Sequence, residues 1–175
     1  MYIELKTQRL MLRPYGLADF ESVHEYASDR EIKYMLYLPN ATEEDTKNFL
    51  KDVEGQWAKE QPDYYEFGAI LDGKLIGAVG AYMEENHTKC ELGWIFNKNY
   101  RGYGYATEAA KAVADFVKAN LKVTEIFARC DTRNEPSANV MQKLGMTKEY
   151  EGPRYYERTG EHAREYKYSM QLLNT

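Results

Sequence analysis

The hydrophobic positions of this chain repeat with two different periods, and each change of period marks a change of element. Near the start, Leu10 and Leu12 alternate with Met11 and Arg13, so residues 4–14 are expected to form a half-covered strand closed by Pro14. The period then lengthens. Phe20, Val23, His24 and Ala27 share one face of a helix through about residue 28, with Asp19 as the expected cap. A second helix is predicted from Thr42, because Thr42-Glu43-Glu44-Asp45 has the form of an N-terminal capping signal and Phe49, Val53, Gln56 and Trp57 follow at helical spacing.

From Glu66 the period returns to two. Residues 66–71, the Asp72-Gly73 turn and residues 74–83 read as a hairpin, and a polar turn at 84–88 leads to a further strand at 89–96. Ala109, Ala110, Val113, Phe116 and Val117 form the buried stripe of a helix over about 105–120. A strand at 124–130, a short helix at 136–144 ended by Gly145, and strands at about 146–156 and 164–173 complete the chain. An antiparallel meander followed by strand–helix–strand–helix predicts an α/β (α+β) fold, a mixed and mostly antiparallel sheet of about seven strands with helices on both faces. The chain shows no repeat, linker or low-complexity tract, so residues 1–175 are expected to form one domain.

Composition narrows the class. Hydrophobic residues at 43% and charged residues at 29% are ordinary for a globular protein. No apolar run reaches the roughly 18–20 residues that span a bilayer, and the N-terminus lacks a basic stretch followed by an apolar one, so no membrane and a cytoplasmic location are expected. Cys90 and Cys130 are too few and too far apart for a disulfide framework or a metal site, and are expected to be buried and reduced. His24, His87 and His162 show no ligand spacing, and no metal is expected. A net charge of −5 disfavours nucleic acid as a partner and is compatible with cationic amines.

The chemistry concentrates between residues 90 and 109. An apolar strand, Leu92 to Phe96, runs through a short link into Arg101-Gly102-Tyr103-Gly104-Tyr105-Ala106, and the alanine-rich helix follows at once. A glycine-opened turn at a helix N-terminus gathers unpaired amides where the helix dipole favours negative charge. Gly102 and Gly104 remove the side chains that would hold a ligand off the backbone. Such a site suits a pyrophosphate.

This loop resembles the R/Q-x-x-G-x-G/A motif of the GNAT superfamily of acetyltransferases, matched by Arg101, Gly104 and Ala106. Three further segments resemble the RimJ/RimL-like branch of that family: Thr7-Gln8-Arg9-Leu10-Met11-Leu12-Arg13-Pro14; Glu91-Leu92-Gly93-Trp94-Ile95; and Asn134-Glu135-Pro136-Ser137-Ala138-Asn139 with Lys143-Leu144-Gly145-Met146. Four motifs in family order, spread over the whole length, are a specific signal. The resemblance implies a GNAT fold whose fourth and fifth strands splay apart. Acetyl-CoA would be the cosubstrate, its pantetheine arm bonded by the backbone of Trp94, Ile95 and Phe96. Its pyrophosphate would lie on the amides of Gly102, Tyr103, Gly104, Tyr105, Ala106 and Thr107, with Arg101 and Lys98 adding positive charge. Asn134 and Asn139 would contact the cosubstrate, or else cap a helix and lie exposed.

The implied reaction is acetyl transfer to a primary amine, on a protein N-terminus, a polyamine or another small amine, by direct attack in a ternary complex. An amine with pKa near 10 must lose a proton to attack, so a base is needed. Glu91, on the strand lining the cleft, is the candidate, against the alternative that it faces solvent or forms a structural ion pair. The amide near Ile95 would stabilise the oxyanion. Many relatives carry a tyrosine acid seven positions after the motif asparagine; here that position is Met141. The branch implies Ser137 beside the leaving thiolate instead, against a role in helix capping. Tyr34, Met35 and Tyr37 fall in the family's substrate-side loop, and a monomer or homodimer is implied.

Two rival readings differ in class. A dinucleotide-binding site lacks its third glycine, since Thr107 stands there, and follows the wrong kind of sheet; a P-loop lacks its G-K-[ST]. A non-catalytic acyl-CoA sensor of the same fold is the other, and Met141 keeps it open.

Overall fold

The computed structural model describes residues 2–29, 32, 34, 42–157 and 159–172. Among these residues four α-helices, α1 (Phe20–Ala27), α2 (Glu43–Ala58), α3 (Tyr105–Asn120) and α4 (Glu135–Lys143), pack on an eight-stranded sheet. The strands are β1 (Leu5–Lys6), β2 (Met11–Pro14), β3 (Tyr64–Leu71), β4 (Lys74–Glu84), β5 (Lys89–Phe96), β6 (Glu125–Asp131), β7 (Thr147–Tyr156) and β8 (Glu161–Gln171), ordered β1-β2-β3-β4-β5-β6-β8-β7. Every neighbouring pair is antiparallel except β5–β6.

The expected sheet therefore gains a strand. Residues 4–14 are not one strand but a hairpin, with Leu5 opposite Leu12. Thr7 turns the chain: its N–H and its hydroxyl donate to the Leu10 carbonyl, and its hydroxyl oxygen accepts from the Leu10 N–H. Period-two alternation is blind to such a reversal, because both arms keep their parity.

Helix starts follow local chemistry with one exception. Thr42 caps α2 as expected: its hydroxyl accepts from the Asp45 N–H at 3.1 Å, and Asp45 accepts from the Thr42 N–H at 3.0 Å. Replacing Thr42 with alanine is expected to destabilise the protein by about 1 kcal/mol, read as a lower urea midpoint at unchanged slope. Asp19 precedes α1 without a side-chain cap, because its carboxylate is taken by the Arg13 guanidinium at 2.7 and 3.0 Å and by the Gly16 N–H.

The core lies on both faces of the sheet. On one, Phe116 of α3 meets Tyr65 and Phe67 of β3 edge-on, with ring centroids 5.6 and 5.4 Å apart. On the other, the Tyr15 hydroxyl donates to the buried Glu66 carboxylate while its ring packs against Phe49 of α2. Cys90 and Cys130 are buried and unpaired to each other, as expected, and burial pushes both thiols up to about 12. Among the described residues no helix is long and apolar enough to cross a membrane.

Candidate active site

The parallel pair β5–β6 meets over only three positions, Lys89 with Glu125, Cys90 with Ile126 and Glu91 with Phe127. Beyond Glu91 the two strands part, while β5 stays paired to β4 as far as Phe96. This is the splay that the motifs implied, falling one strand later in the count because of the extra hairpin strand. The strands entering it are buried or half-buried at every position, as in a sheet covered on both faces.

Hydrogen-bond alternation decides which backbone groups face the gap. The Asn97 N–H donates to the Ile76 carbonyl at 2.9 Å, making that a hydrogen-bonded pair. Counting back by twos in the register, Ile95 and Gly93 also bond toward β4, and Trp94 and Phe96 turn toward the gap. The expectation for Ile95 is thus corrected: its main chain is directed to Ala78, and its side chain shares the face of Glu91. The Phe96 carbonyl already accepts from the Arg101 Nε at 3.1 Å, so Arg101 is drawn back onto the strand end. Lys98 is paired with Asp29 at 3.5 Å.

The glycine loop is built as the sequence implied. Gly102 and Gly104 take φ of +86° and +83°, a region that side chains avoid, and Gly104 is the N-cap of α3. The first i→i−4 bond of the helix runs from the Glu108 N–H to the Gly104 carbonyl, so the amides of Tyr105, Ala106 and Thr107 precede the ladder. These three residues are part-buried, whereas residues 101–104 are exposed.

Glu91 does not face open solvent. It is 5% exposed and lies on the sheet face that carries Tyr82, its register partner on β4, and Glu66 on β3. Arg129 of β6 donates to it at 3.0 Å, and Glu84 stands 4.0 Å from the same guanidinium. Burial nevertheless dominates over the Arg129 charge, and with Glu84 and Glu165 adding repulsion the carboxyl is pushed up to about 7.

On α4, capping falls to Asn134, whose Oδ1 accepts from the Ser137 N–H at 3.3 Å. The capping alternative for Ser137 is thereby removed. Its hydroxyl instead tempers the upward push that burial gives the Cys130 thiol at the end of β6. Asn134 Nδ2 also donates to the Tyr34 carbonyl at 3.4 Å, and Asn139 is exposed. Met141 is fully buried in the core, so the position where relatives carry an acid serves packing here. Met35 and Tyr37 lie outside the described residues. Arg9 escaped the sequence reading as a site residue, although it stands in the opening motif: its Nη1 donates to the Tyr103 carbonyl at 2.9 Å.

A parallel strand pair opening beyond a buried glutamate, beside a glycine-built helix N-terminus, defines an acyl-transfer fold, and the chain belongs to the GNAT acetyltransferases: the model of the acetyltransferase (GNAT) domain matches residues 9–147. The protein is therefore an acyltransferase. It is 36% identical over 151 residues to the uncharacterized N-acetyltransferase YnaD of Bacillus subtilis strain 168, covering 84% of each chain. It is 30% identical over 144 residues to spermidine N(1)-acetyltransferase of Escherichia coli strain K12, covering 80% of this chain and 74% of the other. The crystal structure of a GNAT-family acetyltransferase from Bacillus anthracis superposes with a TM-score of 0.85 at 34% identity, over 97% of this chain and 98% of that one.

Proposed function

We propose that this enzyme transfers the acetyl group of acetyl-CoA to a primary amine by direct attack in a ternary complex, with Glu91 as the base. The observation that carries the reading is the cost of Glu91. A structural ion pair lowers a carboxylate's pKa, but here burial outweighs Arg129 and leaves the group titrating near neutrality, at about 7. A base poised there takes a proton from an ammonium at physiological pH.

The amine lone pair attacks the thioester carbon, the carbonyl oxygen gains negative charge, and the C–S bond breaks as the amide forms. Trp94, beyond the β5–β6 pairing and with its main chain turned to the gap, supplies the N–H for the oxyanion. Ser137 donates to the departing thiolate; a thiol is far more acidic than an alcohol, so a hydrogen bond suffices and the proton comes from solvent. The main-chain amides from Gly102 to Thr107 hold the diphosphate. Glu84 and Glu165 close to Glu91 favour a cationic acceptor, and the likeness to a spermidine acetyltransferase supports a polyamine over a protein N-terminus.

The test is thiol release from acetyl-CoA with spermidine, spermine, N-terminal peptides and other amines. Turnover with a polyamine is expected; calorimetric binding of acetyl-CoA with no turnover on any amine would favour the sensor reading. Ser137→Ala is expected to lower kcat roughly tenfold at unchanged acetyl-CoA affinity, consistent with loss of one hydrogen bond to a developing charge.

A further inference from the structure

The β1–β2 turn reaches across to the glycine loop through a single side chain. Arg9 Nη1 donates to the Tyr103 carbonyl at 2.9 Å, its Nε donates to Glu108 Oε2 at 2.7 Å, and its guanidinium carbon stacks 4.5 Å from the centre of the Tyr105 ring. Glu108, in the first turn of α3, is held further by the Arg9 N–H at 2.7 Å and the Thr7 hydroxyl at 2.6 Å. A Cβ placed at Gly104 would sit 3.5 Å from Arg9 Nη2, so the guanidinium lies against the loop itself.

Two physical consequences follow. The N–H and C=O of a trans peptide point in opposite directions. By holding the Tyr103 carbonyl toward β1–β2, Arg9 fixes the Gly104 N–H on the other side, the side away from the guanidinium. Gly104 at φ +83° has little intrinsic preference for either orientation of its peptide, so the choice must come from outside the loop. Arg9 also neutralises Glu108, a carboxylate that would otherwise repel an anion at this helix N-terminus.

We propose that Arg9 is a positioning residue for the cosubstrate: it orients the glycine loop and cancels the Glu108 charge, so that the loop amides accept a diphosphate. This rests on the acetyl-CoA reading above. The opening motif and the loop meet through the fold, and the Arg9–Tyr103 contact spans 94 positions.

The test is a double-mutant cycle read by calorimetry with coenzyme A. Arg9→Ala is expected to weaken the dissociation constant on the order of tenfold, the scale of a charge-assisted hydrogen bond, while Glu108→Gln alone changes it less than about twofold. The double variant should recover part of the loss, because the repelling charge is gone; simple destabilisation of the fold predicts no such recovery. Arg9→Lys, which keeps the charge without the fork, should fall between wild type and Arg9→Ala, and it replaces Arg9→Ala in the cycle should that variant not fold. An Arg9→Ala protein binding as tightly as wild type, or a double variant as weak as Arg9→Ala, overturns the proposal. Wild-type protein that bound no coenzyme A would overturn the cosubstrate reading, and this inference with it.

Discussion

Glu91→Gln is expected to lower kcat by about 10²- to 10⁴-fold, the usual contribution of a general base, with acetyl-CoA affinity unchanged. Glutamine keeps the shape and can still accept from Arg129, but it cannot take a proton. In the wild type, kcat/KM should rise with pH through about 7, where the carboxyl ionises, and this limb should vanish in the variant. Any remaining rise would follow the acceptor amine, near pH 10. Full turnover by Glu91→Gln would remove the residue from the mechanism.

The same substitution carries a stability signature of definite sign. The folded-state pKa of Glu91 is raised from 4.5 to about 7, so its favourable contribution to folding is complete below pH 4.5 and is lost as pH rises through 7. Above pH 7 the wild type therefore keeps a costly buried charge that glutamine lacks. Glu91→Gln should be more stable than wild type at pH 8, on the order of 2 kcal/mol, and nearly equal to it at pH 5. Chemical denaturation at both pH values reads this directly. A variant more stable and less active would mark Glu91 as a group kept for its chemistry.

The second large effect is expected at the loop. Gly104→Val forces a β-branched residue to φ +83° and sets its side chain at the mouth of α3. The strain costs about 1–3 kcal/mol in a native loop, and the displaced amides should weaken coenzyme A binding by at least on the order of 100-fold. Gly73→Val is the control. It sits at φ +83° in the β3–β4 turn with nothing within 4 Å of an added Cβ. It should show comparable destabilisation with binding retained. Equal loss of binding in both variants would mean that general destabilisation, and not the loop amides, sets the affinity.

Local signals in the sequence were enough for most elements. The Thr42–Asp45 cap, the Asp72-Gly73 turn and the Ala109–Val117 stripe are set by contacts within a few residues, and the structure reproduces them. The β1–β2 reversal escaped because alternation survives a turn that keeps parity, and its only local cue was the hydroxyl of Thr7. The motif Arg101-Gly102-Tyr103-Gly104 was legible as a glycine-opened helix N-terminus because positive φ at glycine and a following helix are both local properties.

What tertiary structure alone decided is direction. Whether Glu91 met solvent, a structural partner or a buried cleft depended on how its sheet face is covered, and period two treats both faces alike. The splay itself is a failure of β5 and β6 to pair beyond Phe127, set by non-local packing that neither strand records. Ile95 and Trp94 differ only in the sense of one hydrogen-bonded pair, Asn97 with Ile76, formed two strands' lengths of chain apart. The contact of Arg9 with the glycine loop follows from the same cause: local sequence sets how each segment folds, and the assembled sheet sets what each side chain meets.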